Sequence, residues 1–156
     1  MTTALRFLQF LALGTWIGGI IFLSFVEAPG VFGILSNRDQ AGSIVGYSLT
    51  RLHYIGVVAA ILYLIAGLAL AKSARSLIAP AAILVIVMLA LTVISEHGVR
   101  PRMAALRAQM VSVDATPPEN PLRVQFDRLH RASVQLEGAT LLLGVVALFL
   151  TARKPL

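Results

Sequence analysis

The sequence has no cysteine, and charged residues are scarce. Without thiols there is no disulfide framework and no thiolate metal or redox chemistry. Charged residues are 13 % of the 156, against 58 % hydrophobic, and the mean hydropathy is +0.85. That balance excludes an ordinary soluble domain. Acids are fewer than bases, 7 against 13. In a soluble protein a net charge of +6 would suggest nucleic acid. Here the bases flank apolar runs, so they are assigned to lipid headgroups, and no nucleic-acid partner is expected. There is no internal repeat and no low-complexity tract. A small-residue cleavage site after the first apolar run is also lacking, since the run ends Val26-Glu27-Ala28-Pro29. It therefore reads as a retained span and not as a removed signal peptide.

What remains is four apolar runs, each approaching the roughly 20 residues that cross ~30 Å of hydrocarbon. The expected fold is all-α: one integral membrane four-helix bundle covering residues 1–156. Its spans are placed at about 5–27, 48–71, 77–98 and 128–152, with a short interfacial helix between spans three and four. The chain is thus multi-pass, in the inner or plasma membrane if bacterial. Span one carries a GxxxG pair, Gly14 and Gly18, that lets another helix approach. Pro29 biases Ala28 out of the helical region and predicts a stop near Glu27. Ser36-Asn37-Arg38-Asp39 resembles a capping box, predicting a helix that restarts there and loosens around Gly42 and Gly46. Span two shows a small-residue stripe with His53 at its mouth: Gly56, Ala60, Tyr63, Gly67, Ala71. Pro101 is expected to start a new helix whose Met103, Leu106 and Met110 form an apolar stripe.

Span four enters the bilayer with His130, Ser133 and Glu137 at i, i+3 and i+7, all on one face. A carboxyl group at that depth costs a few kcal/mol unless it is neutral, paired or turned to a cavity. Four spans put both termini and the 72–76 hairpin on one side. Glu27, His53, Glu96, His97, His130, Ser133 and Glu137 then belong to the other side. The terminal side has bases and no acid at all. The predicted site is a polar pocket at the loop face, lined by His53, Glu96, His130, Ser133 and Glu137. Imidazole with carboxylate suits copper, iron, zinc or a haem axial position, and His130, His53 and Glu137 form the candidate metal set. The same groups could hold a quinone-like headgroup or relay protons. The plainer reading has histidines at the interface and Glu137 paired with Arg51, Arg100 or Arg131. Glu96–Arg100 is then a local i, i+4 pair, and Trp16 fills the core.

GTWIGGIIFLSFVEAPGVF in span one, then DQAGSIVG, PRMAALR and FDRLHRASVQLEG, resemble the four-helix family that includes transmembrane protein 205. Trp16, Gly19, Phe22, Pro29, Gly42, Phe126, His130 and Ser133 match its pattern. Ser48-Leu49-Thr50 stands where that family often has a proline. The family is distantly similar to the copper-resistance D proteins and the HemJ-type protoporphyrinogen oxidases. This resemblance implies a copper or haem connection, with His130 as first ligand and Glu137 as proton acceptor or second ligand. The leading expectation is a membrane protein binding a metal, haem or small ligand. The alternatives are an accessory subunit of a larger membrane complex and a small-solute transporter acting as an oligomer. Partners are the bilayer and either further copies of the chain or that complex.

Overall fold

The structure is a computed structural model that describes residues 2–153. Among the described residues four helices are long and apolar enough to cross a membrane: α1 (Thr2–Ile34), α2 (Arg38–Ala71), α3 (Pro80–Ala108) and α4 (Pro121–Ala152). No strand occurs among the described residues. The chain is an all-α membrane bundle. The helices have 33, 34, 29 and 32 residues, more than a crossing needs, so their ends project beyond the hydrocarbon.

Two of the predicted breaks are absent. α1 does not stop at Glu27, and α3 does not end before Pro101. In each, a π-helical turn precedes the proline, Leu23–Glu27 before Pro29 and Ser95–Val99 before Pro101. The widened turn has already displaced the regular hydrogen-bond ladder. A residue without an N–H therefore sits at the start of the next α segment at little cost. The short helix expected after span three is present over Arg100–Ala108, as a continuation of α3. α2 runs unbroken through Gly42 and Gly46. Its cap is Asn37, not Ser36: Asn37 Oδ1 accepts from the Gln40 N–H at 3.0 Å. Asp39 instead accepts from the Val113 N–H at 3.2 Å, tying the 111–120 linker to the start of α2. α2 ends at Lys72, whose left-handed φ of 49° lets its N–H return to the Leu68 carbonyl. A 3-10 turn, Ala74–Ile78, then delays α3 to Pro80. α4 starts at Pro121, one turn or more before the expected 128, with Asn120 as its cap.

The helices form a ring in which α1 packs on α2, α2 on α3, α3 on α4 and α4 on α1. Lipid tails are as apolar as leucine, so close van der Waals packing holds this ring together. Its centre is filled by Leu13, Trp16, Ile20, Val85 and Met88. Gly56 makes room for the Trp16 indole: a Cβ there would lie 2.4 Å from Nε1. Gly144 does the same for Ile17 and Met88. Phe7, Phe25, Ile65 and Leu142 are exposed and face the region that lipid occupies.

Candidate functional site

The loop end of the bundle gathers acids and an imidazole from three helices. His53 on α2 is only 2 % exposed. Its Nδ1 lies 2.7 Å from Glu96 Oε2 on α3, and its Nε2 lies 3.3 Å from Glu137 Oε2 on α4. The two carboxylates are 10 % and 13 % exposed. Arg100, one turn past Glu96, donates from Nη1 to the other Glu96 oxygen at 2.5 Å and is 40 % exposed.

Glu96 reaches His53 from the helix face that the buried Thr92, four residues earlier, turns to the interior, and it lies in the π turn Ser95–Val99. A π turn adds one residue to the turn, which rotates everything after it by about 100° relative to an unbroken α-helix. Thr92 and Ser95 face the interior beside it. Counting protons fixes the chemistry. Each contact between a ring nitrogen and a carboxylate oxygen needs one proton, so His53, Glu96 and Glu137 hold two between them. Imidazolium with two carboxylates, plus the Arg100 guanidinium, sums to zero charge. Losing one proton leaves a net negative charge in a site where compensation is scarce.

Of the five predicted pocket residues, the structure brings His53, Glu96 and Glu137 together. Ser133 is half-buried one turn before Glu137. His130 is exposed and stacks on Phe126, with rings parallel within 1° and centroids 6.4 Å apart. His97 is exposed too. His53 and Glu137 of the candidate metal set therefore meet, and His130 stands apart. Both His53 nitrogens are already engaged by carboxylate oxygens, which leaves no free lone pair toward a metal or a haem iron. Among the described residues no group of three or more His, Cys, Asp or Glu could hold a metal ion. The plainer pairing of Glu137 with an arginine is replaced by His53. Arg51 lies instead over the Tyr47 ring at 4.9 Å.

Arg100 is the site residue that the sequence undervalued. Its i, i+4 spacing from Glu96 was visible, but the use of the second oxygen for His53 was not. Outside this cluster, Asp39 binds the linker. The Ser112 hydrogen bond holds its carboxyl below the usual carboxylate range, against the opposing effect of burial. The Val113 N–H and the guanidinium groups of Arg107 and Arg123 add to the lowering. At the opposite end of the bundle, Tyr63 and Thr151 hydroxyls meet at 2.7 Å, and Gln9 donates to the Tyr63 carbonyl at 3.3 Å.

A family model described as a domain of unknown function (DUF4149) matches residues 11–112. That range contains His53, Glu96 and Arg100 and stops before Glu137. No curated protein matches the chain. No solved structure matches it either.

Proposed function

The chain belongs to the DUF4149 family, and we propose that it is a proton-exchanging membrane protein that binds a small ligand at the His53 cluster. One observation carries this reading: a buried imidazole with a carboxylate from a different helix on each ring nitrogen. Packing alone does not require such a set. Buried charge clusters are often replaced by apolar side chains with no loss of stability, so retaining one points to use. Glu96, Glu137 and Arg100 leave the cluster partly open at the loop face, which gives protons and a ligand a way in.

The chemistry follows from charge. His53 and Glu137 share one proton and His53 and Glu96 the other. A polar or cationic ligand arriving at the loop face would displace the His53–Glu137 proton first, across the longer contact. The resemblance to the family of transmembrane protein 205, and more distantly to the copper-resistance D and HemJ-type proteins, supports a ligand at this face. As arranged, the cluster holds protons and offers no open metal site, so no step is assigned to copper or haem.

The test uses purified whole protein in detergent, titrated with ethylammonium, methylguanidinium or a water-soluble quinone beside a pH-indicator dye. Binding of one of them with release of about one proton per site, abolished in His53→Asn, is the expected result. No binding of any of the three, or release that persists unchanged in His53→Asn, contradicts the reading.

A second reading, an accessory subunit, is favoured by Gly14 and Gly18. A Cβ at either would meet nothing within 4 Å, so the GxxxG face of α1 is unused inside the bundle. Co-purification of a second membrane protein that is lost in Gly14→Leu supports it, and a lone monomer from mild detergent rejects it.

A further inference from the structure

At the terminal end of the bundle, a cleft of about 840 Å³ opens between the start of α1 and the ends of α2 and α4. From its composition we propose that it binds one anionic phospholipid. The lipid phosphate sits at the basic rim, an ester carbonyl on Gln9, and the upper part of an acyl chain against Phe7, Phe10 and Leu64. This site lies at the opposite end from His53 and stands independently of the reading given above.

The floor is polar and built. Gln9 is 7 % exposed and Tyr63 is buried with it. Thr151 donates its hydroxyl to the Ala147 carbonyl at 2.7 Å, so the Tyr63 hydroxyl must be the donor to Thr151. Gln9 uses one amide N–H on the Tyr63 carbonyl, and its second N–H remains to donate to a ligand. Gly67 keeps that amide within reach, since a Cβ there would come within 3.2 Å of Gln9 Nε2. The walls around this floor mix Phe7, Phe10 and three leucines with small alanine, glycine, serine and threonine side chains, which leaves apolar surface for a chain between the polar groups.

The rim is basic. Arg6 lines the cleft, and Lys72, Arg75 and Arg153 adjoin the lining residues Ala71, Ser76 and Ala152. All seven acids of the sequence lie between Glu27 and Glu137, in the half of the bundle that faces the loops. The rim is therefore net positive whatever partner each base holds, and juxtamembrane bases attract anionic headgroups. Gln9 follows Arg6 by three residues, about 4.5 Å deeper along the helix. That is the order of a phospholipid's own groups, phosphate outermost, then ester carbonyl, then chain. A soluble anion would use the rim and leave the floor and walls without a role.

The experiment is native mass spectrometry of the whole detergent-purified chain, titrated with dioleoylphosphatidylglycerol or dioleoylphosphatidylcholine. One phosphatidylglycerol retained per chain is expected, in clear preference to phosphatidylcholine. Arg75→Gln should weaken that preference about fivefold, the value of one base near the surface. Gly67→Leu, which fills the cleft, should remove it, and His53→Asn should leave it unchanged. Equal retention of the two lipids by the unmodified chain overturns the proposal, with no variant needed. Displacement by millimolar inorganic phosphate would also overturn it, marking a site for a free anion.

Discussion

Glu137 on α4 reaches His53 Nε2 at 3.3 Å although α2 and α4 stand at opposite corners of the four-helix ring. Only long side chains can close that diagonal, and His53 is held between Glu137 and Glu96 like a strut. Removing the strut leaves two carboxylates facing each other. His53→Leu is expected to cost about 3–5 kcal/mol, the usual penalty for breaking a buried charge pair from one side. The triple change His53→Leu, Glu96→Gln, Glu137→Gln should recover most of it, because no unpaired buried charge is left and the 40 % exposed Arg100 turns to water. Thermal unfolding in one detergent measures both, and simple additivity of the three changes would reject the coupling.

Arg100 acts on His53 only through Glu96, as a positioning residue. Being 40 % exposed, it contributes little to stability, and Arg100→Gln should change it by less than about 1 kcal/mol. The sensitive readout is the Nδ1 side of His53. Its ring nitrogen resonance should move in Arg100→Gln and stay in place in Arg100→Lys. An unmoved Nδ1 resonance in Arg100→Gln would remove Arg100 from the cluster.

Gly56 faces Trp16, and Gly14 faces nothing inside the bundle. Gly56→Ala should therefore cost about 1–3 kcal/mol by overpacking. Combining it with Trp16→Phe should return part of the loss. Gly14→Ala should fall within about 0.5 kcal/mol of neutral. Unfolding midpoints in detergent check the three variants, and equal effects at Gly56 and Gly14 would contradict the packing described.

Asp39 lies at the first turn of α2, in the end of that 34-residue helix that projects beyond the hydrocarbon, and carries a lowered carboxyl pKa. For an acid whose folded pKa is depressed, stabilisation is present above the unfolded value near 3.9 and is lost as pH falls through the folded one. The linker should thus stay docked at neutral pH and loosen in acid, below about pH 4. The protection factor of the Val113 amide is the readout. It should drop in that window, and in Asp39→Asn it should be low at every pH. Protection that persists unchanged at pH 2.5 would contradict the tether.

Much of this architecture was legible in advance, and its limits have physical causes. Hydrophobic length alone marks four crossings, and the side on which the acids and histidines fall follows from counting them. The π turns were invisible because no residue pattern encodes them. Pro29 and Pro101 read as breaks when each is accommodated by the turn before it. His130 shares a face with Glu137, which suggested a common pocket. Seven residues are about 10 Å along the axis, however, and that carries His130 past the level of His53 to a stack on Phe126. Azimuth was readable and depth was not. Arg100 was in view as a local pair, but the division of Glu96's two oxygens between Arg100 and His53 depends on a contact with another helix, which spacing along α3 does not carry.

The most direct test is nitrogen NMR of histidine-labelled protein in micelles, with His53 assigned from His53→Asn. Both ring nitrogens should carry a proton shared with a carboxylate. Glu96→Gln should shift Nδ1 alone, and Glu137→Gln should shift Nε2 alone. A bare nitrogen, or resonances indifferent to both substitutions, would mean that His53 is not the proton site at the centre of this bundle.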